Sequence, residues 1–128
     1  DYSRYADDIT FSGNKSINTI VPLVIKIVSE EGFQINKNKT RLQYRNQRQE
    51  VTGLIVNDKI AVNSVLESEI KNAVYFIKLY GIDDHMKHIK CNKSFYLEHL
   101  YGIAYYIKMV DEEKGKEYLK QLDNIKFE

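Results

Sequence analysis

Asp7 and Asp8 are the residues of this chain best suited by type and spacing to do chemistry. They stand side by side between two aromatics, Tyr2 and Tyr5, and the β-forming run Ile9-Thr10-Phe11. Such flanks suit two short strands joined at the acidic pair. Two adjacent carboxylates at a tight turn cannot both enter a dry core, because an unpaired buried charge is prohibitively costly. Their mutual repulsion calls for a cation. Hard oxygen ligands of this kind suit Mg²⁺, which accepts one or two protein carboxylates together with substrate phosphates. Two such ions about 3.5–4 Å apart clamp the attacking and leaving oxygens of an in-line phosphoryl transfer. An isolated Asp-Asp dipeptide is more often a solvated turn, since Asp favours turns for its own reasons. The letters around it have to decide.

Other residues offer weaker chemistry. Lys37, Lys39, Arg41, Arg45 and Arg48 form a basic stretch with Tyr44 interleaved, and Lys71, Lys78, Lys87, Lys90 and Lys93 precede the acidic patch Asp111-Glu112-Glu113. Basic side chains alternating along a strand can follow phosphates while an aromatic packs on sugar, although a charge run is commonly a solvated face. His85, His88 and Cys91 recur at three-residue steps and share one face if their segment is helical. Structural zinc sites draw on separated ligand pairs, and no second pair exists here. Asp83 to Cys91 therefore reads as a polar connection between helices. Of the 10 tyrosines, Tyr101, Tyr105, Tyr106 and Tyr118 fall at helical spacings that suit packing with the hydroxyl at the rim.

The elements that must position these residues follow from periodicity. After the acidic turn and Gly13-Asn14, apolar positions Ile17, Ile20, Val21, Val24 and Val28 predict a helix, with Pro22 in its first turn and Gly32 as its stop. Phe33–Asn36 and Thr40–Tyr44 read as strands around a polar turn. Val51–Val56 and Lys59–Val62 read as a hairpin turning at Asn57-Asp58. From Asn63 the texture becomes helical. Asn63 or Ser64 can cap a helix, Glu67 completing a capping-box pattern with Ser64, and Leu66, Ile70, Ala73, Val74 and Ile77 mark its face up to Gly81. A second helix is expected from about Ser94 to Val110 and a third from near Asp111, carrying Tyr118, Leu119, Leu122 and Ile125. The expected class is α+β, with a β-rich part at 1–62 and a three-helix part at 63–128.

Bulk properties bound this reading. The 128 residues (15.0 kDa) are 43% hydrophobic, which supports a packed core and speaks against wholesale disorder. A formal net charge of +1, from 19 Lys/Arg against 18 Asp/Glu, argues neither for nor against a polyanionic partner. The single cysteine, Cys91, excludes an internal disulfide framework and fits a reducing cytosol. No apolar run approaches the roughly 20 residues of a membrane span. Opening directly on what reads as a strand, the sequence is expected to be a piece of a longer protein.

Tyr2-Ser3-Arg4-Tyr5-Ala6-Asp7-Asp8-Ile9-Thr10-Phe11-Ser12 resembles the Tyr-X-Asp-Asp motif of reverse transcriptases, in the form favoured by retron and group II intron enzymes. Gly32-Phe33-Gln34-Ile35-Asn36 with Lys39-Thr40 resembles the next palm motif, and Val51-Thr52-Gly53 resembles the Val-Thr-Gly segment of retron enzymes. The three motifs stand in the family's order and span the first half of the chain. The resemblance implies the carboxy-terminal part of a polymerase palm, with its acidic-turn hairpin and a primer-grip-like hairpin, followed by a helical thumb. It implies a cytoplasmic bacterial enzyme that adds deoxynucleotides to a 3′ hydroxyl on an RNA template and, in the retron branch, makes RNA-linked single-stranded DNA for phage defence.

The same resemblance implies roles for individual residues. Asp7 and Asp8 would be catalytic, holding two Mg²⁺ ions in the complete enzyme. Tyr5, Ala6 and Lys39 would lie near primer and nucleotide, with Lys39 toward the triphosphate. Val51, Thr52 and Gly53 would belong to the primer grip, and Lys37, Arg41, Arg45, Arg48, Lys71 and Lys78 would meet nucleic acid. Partners would be template RNA, nascent DNA, a structured priming RNA and deoxynucleoside triphosphates, with no membrane. The family's third catalytic carboxylate lies upstream of Tyr-X-Asp-Asp and is not in this sequence, so the piece by itself is expected to be inactive; without the neighbouring palm strands its hairpin would leave an open edge, so it is also expected to self-associate. A group II intron maturase, another defence reverse transcriptase and a non-catalytic nucleic-acid-binding module are the competing readings.

Overall fold

The computed structural model describes residues 1–91 and 95–126. The chain is α+β and divides into two compact units, Asp1–Thr52 and Gly53–Glu128. In the first, β1 (Tyr2–Tyr5) and β2 (Asp8–Phe11) form an antiparallel hairpin with Tyr2 opposite Phe11 and Tyr5 opposite Asp8. A 3₁₀ turn, Ile17–Ile20, leads into α1 (Val21–Glu30). Pro22 sits in the first helical turn, where its missing N–H would have been unpaired anyway. The helix ends as the sequence predicts. Gly32 takes φ +80°, its N–H donates to the Ser29 carbonyl, and the Phe33 N–H donates to Val28. That pair of bonds is the Schellman closure, and glycine meets its left-handed residue without steric cost.

Residues 33–49 depart from expectation: neither Phe33–Asn36 nor Thr40–Tyr44 is a strand. A β-forming run needs a neighbour to take its backbone hydrogen bonds, and none is paired with it among the described residues. The segment instead folds on local polar bonds. The Asn36 carbonyl accepts from the Lys39 and Thr40 backbones and from Thr40 Oγ1, while Asn36 Oδ1 accepts from the Asn38 N–H at 3.0 Å. No residue of this first unit is fully buried. β3 (Glu50–Val51) closes it.

The second unit holds the core. β4 (Leu54–Ile55) and β5 (Ala61–Val62) pair antiparallel, with Asn57 and Asp58 in the connecting loop, so the strands are shorter than the sequence suggests. α2 (Ser64–Tyr80) is capped by Asn63, whose side chain accepts from the Val65 N–H at 3.0 Å. Ser64 is thus already helical and makes no capping box; Glu67 instead pairs with Lys114 at 2.8 Å. α3 (Ile82–His88), α4 (Tyr96–Val110) and α5 (Glu112–Lys126) follow. Among the described residues the helical part therefore contains three long helices plus a short fourth, α3, where a polar connection was expected. The second helix starts at Tyr96 rather than near Ser94, and Ser94 and Lys93 lie outside the described residues.

Ile70, Ala73, Val74 and Ile77 of α2 meet Leu100, Ile103, Ala104 and Ile107 of α4, Leu122 of α5 and Val62 of β5. Ile70, Leu100, Ile107 and Leu122 are fully buried, each contributing about 1.5–3 kcal/mol of apolar transfer. Val62 belongs to this core, and the compact units divide between Thr52 and Gly53, whereas the change in sequence texture comes at 62/63. α4 and α5 are joined through Asp111, whose carboxylate accepts from the Lys114 N–H at 3.1 Å. Gly115, buried on α5, faces the Lys108 backbone so closely that a Cβ there would lie 2.2 Å from Lys108 Cα.

Candidate functional site

The acidic pair sits at the closed end of the β1–β2 hairpin. Ala6 and Asp7 form its two-residue turn, and Ala6 takes φ 52°. A left-handed residue at that place matches the twist of a tight hairpin, and the small methyl of alanine keeps the steric penalty low. Alternation along the strands puts Tyr2, Arg4, Ile9 and Phe11 on one face and Ser3, Tyr5, Asp8 and Thr10 on the other. The first face is pinned by the Tyr2 and Phe11 rings, 5.4 Å apart. The hairpin thus brings Tyr5, Ala6, Asp7 and Asp8 to one end, with Tyr5 and Asp8 as cross-strand neighbours. All four are exposed.

Neither Asp7 nor Asp8 makes a side-chain hydrogen bond or ion pair among the described residues. Two adjoining oxygen donors, open to solvent and without a protein cation, fit the needs of Mg²⁺ as partial ligands. They are not a complete set: no group of three acidic, histidine or cysteine side chains able to hold a metal occurs among the described residues.

The other sequence-predicted residues fall into three settings. Lys37, Lys39, Arg41 and Arg45 are exposed on the irregular segment 33–49, and no hydrogen bond or ion pair joins them to the acidic pair. Arg48 is engaged with Glu50 at 3.0 Å. Val51 is half-buried at the end of β3, and Thr52 and Gly53 both take positive φ, 48° and 85°. Two successive left-handed residues make a tight reversal, a turn absent from the sequence reading. In the helical unit, Lys71 is exposed on α2, whereas Lys78 donates to Gln121 of α5 at 3.1 Å. Lys78 therefore has a structural partner that sequence did not reveal.

Of the tyrosines singled out, Tyr101 donates its hydroxyl to Asp123 at 2.6 Å and Tyr105 is exposed. Burial, then the Asp123 carboxylate, pushes the Tyr101 phenol up to about 12.

The structure also assembles a cluster that the sequence reading passed over. His85 of α3 is buried, and its Nε2 lies 3.0 Å from the Tyr96 hydroxyl. Its Nδ1 has no hydrogen-bond partner. Burial, with a smaller contribution from His88, holds the imidazole below its ordinary value, and burial raises the Tyr96 phenol. Phe76 of α2 lies nearly parallel to His85, and Tyr80 nearly parallel to Phe76. The available signal was the helical spacing of Ile82, His85-Met86 and Ile89, masked by the charged residues between them. His88 and Cys91 line the same cavity as His85, but do not form a metal-competent group with it.

No helix among the described residues is long and apolar enough to cross a membrane. No protein-family model and no solved structure matches the chain. Curated proteins do. The chain is 30% identical over 90% of its length to the Retron Mx65 reverse transcriptase and 32% identical over 97% to the Retron Mx162 reverse transcriptase, both from Myxococcus xanthus. It is 27% identical over 97% to the Retron Ec86 reverse transcriptase of Escherichia coli. It spans only 25%, 28% and 36% of those proteins. With the acidic-turn hairpin in place and likeness to three such enzymes running along nearly its whole length, the chain belongs to the retron-type reverse transcriptase family.

Proposed function

We propose that this chain is the carboxy-terminal palm (1–62) and thumb (63–128) of an RNA-directed DNA polymerase of the retron type. The observation that carries the reading is the Asp7-Asp8 pair, exposed at the turn end of the β1–β2 hairpin with no ion-pair partner among the described residues. In the complete enzyme the primer's 3′ oxygen attacks the α-phosphorus of a deoxynucleoside triphosphate, and pyrophosphate leaves. Asp7 and Asp8 would be the ligands that this chain offers to Mg²⁺, which when bound would neutralise charge on the phosphates. The exposed turn leaves their oxygens free to hold it. Tyr5, beside Asp8 on the same hairpin face, packs against primer or nucleotide, and Ala6 keeps the approach open. Lys39 faces the triphosphate, where an ammonium offsets charge on the departing pyrophosphate.

The left-handed Thr52-Gly53 turn after Val51 lets nascent strand approach the backbone closely. Lys37, Arg41, Arg45 and Lys71 neutralise phosphates of template and primer; Arg48 and Lys78 do so only by giving up Glu50 and Gln121. Partners are template RNA, nascent DNA and a structured priming RNA, and the product is RNA-linked single-stranded DNA used in phage defence within the bacterial cytoplasm.

The test is Asp7→Asn in the full-length protein. Primer extension should fall below detection while duplex affinity stays within about two-fold, because cations rather than carboxylates set most of the affinity. Extension at the wild-type rate would remove Asp7 from the chemistry. The 128-residue chain alone, lacking a third carboxylate, should extend no primer.

A further inference from the structure

The helical unit contains a cavity of about 450 Å³ walled by α2, α3 and the start of α4, within the ~300–1,000 Å³ range of small-ligand sites. We propose that this cavity is a base pocket, taking one unstacked nucleobase from single-stranded nucleic acid. The proposal rests on the reading of the chain as a nucleic-acid enzyme and adds to it a site for an unpaired base in the helical unit.

The argument begins with the walls. Phe76, Ala73, Ile89 and Tyr96 give a largely apolar lining. Tyr80, Phe76 and His85 form a column of nearly parallel rings, with planes 16° and 10° apart and successive centroids 6.3 Å apart. Phe76 and His85 line the cavity and Tyr80 does not; Phe76 is 39% and Tyr80 64% exposed. The exposed part of the Phe76 ring is the aromatic surface that the cavity offers to a planar ring, since every base has a π-face.

Polar groups narrow the class. His85 is only 6% exposed, and its Nδ1 has no partner. Leaving such a group unpaired costs about 1–3 kcal/mol. Nδ1 itself has almost no exposed surface, so a bound base would meet the groups that the lining exposes instead. The Asn72 side chain, exposed in that lining, makes no hydrogen bond among the described residues and keeps its amide for a base edge, which carries donors and acceptors together. No lysine or arginine lines the cavity, whereas the Glu69 carboxylate, paired with His99, does, so an anionic phosphate is disfavoured inside it.

The phosphate is provided for beside it. Lys90 stands between the lining residues Ile89 and Cys91, closes α3 in a left-handed conformation (φ 51°), and has no ion-pair partner among the described residues. The Lys90 N–H donates to the Lys87 carbonyl and the Cys91 N–H to Met86, the closure that glycine performs at the end of α1. A lysine in that position carries strain that glycine would relieve.

The test uses the full 128-residue chain and a short single-stranded oligoribonucleotide carrying one 2-aminopurine, alongside the same strand abasic at that position. Binding should change the 2-aminopurine fluorescence. The abasic strand and the Phe76→Ala chain should each lose roughly five- to 150-fold in affinity, the equivalent of about 1–3 kcal/mol of base–aromatic stacking. The two losses should not add, because they remove the same contact. Lys90→Gly should melt higher than the parent chain yet bind more weakly, with a log–log salt slope shallower by about 1. Equal affinity for intact and abasic strands, or unchanged binding by Phe76→Ala, would overturn the pocket; salt-dependent binding that survives such a result leaves the polymerase reading standing. Absence of any binding at low salt would overturn the pocket and leave the polymerase reading to its own test, Asp7→Asn in the full-length protein. If free adenosine binds in a Phe76-dependent manner while the strands are not discriminated, the source of the base is a nucleoside and the single-strand claim is wrong.

Discussion

Replacing Gly115 by Ala should destabilise the helical unit, although alanine is the better helix former. An added Cβ would lie 2.2 Å from Lys108 Cα and Cβ and 2.5 Å from Lys108 N. Non-bonded carbon pairs rest near 3.5–4.0 Å, so α5 must retreat from α4 by roughly 1.3 Å or more. The obstacle is backbone, which cannot rotate away as a side-chain tip would. Overpacking of this kind costs about 1–3 kcal/mol, and the upper end applies here. Against it stands a propensity gain of about 1 kcal/mol for removing a helical glycine. The net loss is near 2 kcal/mol, from a unit whose length suggests a total of about 4–11 kcal/mol. In a domain of this size that lowers the melting midpoint by about 8–16 °C. Gly102 on α4 is the internal control: it is exposed and has nothing within 4 Å of its would-be Cβ, so Gly102→Ala should raise the midpoint by a few degrees. Thermal melts followed by helical circular dichroism read both. A Gly115→Ala chain as stable as the parent would refute the close crossing of α4 and α5.

Three further outcomes are expected. His85 has a pKa held below its unfolded value by burial and by His88, so protons bind the unfolded chain first; its contribution is complete above the unfolded value of about 6.5 and is lost as pH falls toward the folded one. Denaturant midpoints should therefore drop more steeply for the parent than for His85→Gln as pH falls below about 6.5, and parallel curves would show that His85 does not titrate on unfolding. Asn63→Ala removes the α2 cap and should cost about 1 kcal/mol, whereas Ser64→Ala should cost little; chemical denaturation of the two variants decides between them. Finally, the first unit exposes Leu23, Ile25, Ile27, Phe33 and Leu42 without burying any residue fully, so the chain should self-associate; sedimentation that reports a monomer at every concentration would contradict this.

Legibility in the sequence followed the number of groups each signal needed. The acidic turn was readable because eleven neighbouring letters agree, and α1 because Pro22 and Gly32 act locally at its two ends. The faces of α2, α4 and α5 were readable from apolar spacing alone. Partnership was not. Phe33–Tyr44 has strand-like residues, but whether they pair depends on backbone elsewhere. Lys78 and Arg48 look like free cations until Gln121 and Glu50 are folded beside them. α3 was hidden because His85 counts as polar in any pattern, yet it is a core residue whose burial is made tolerable by the Tyr96 hydroxyl. Lys90 gave no hint either, since nothing in its type marks a left-handed residue.

The uneven distribution of burial has a consequence for hydrogen exchange. Amides of α2 and α4, packed around Ile70, Leu100 and Ile107, can exchange only when the helical unit opens as a whole, whereas those of the β1–β2 hairpin are released by opening a single exposed ladder. The carboxylates thus ride on a part of the chain that exchanges before the helical core, and the cooperative helical signal in a melt carries almost no information about them. Protection of the Arg4 to Thr10 amides would report directly on the rigidity of the acidic turn.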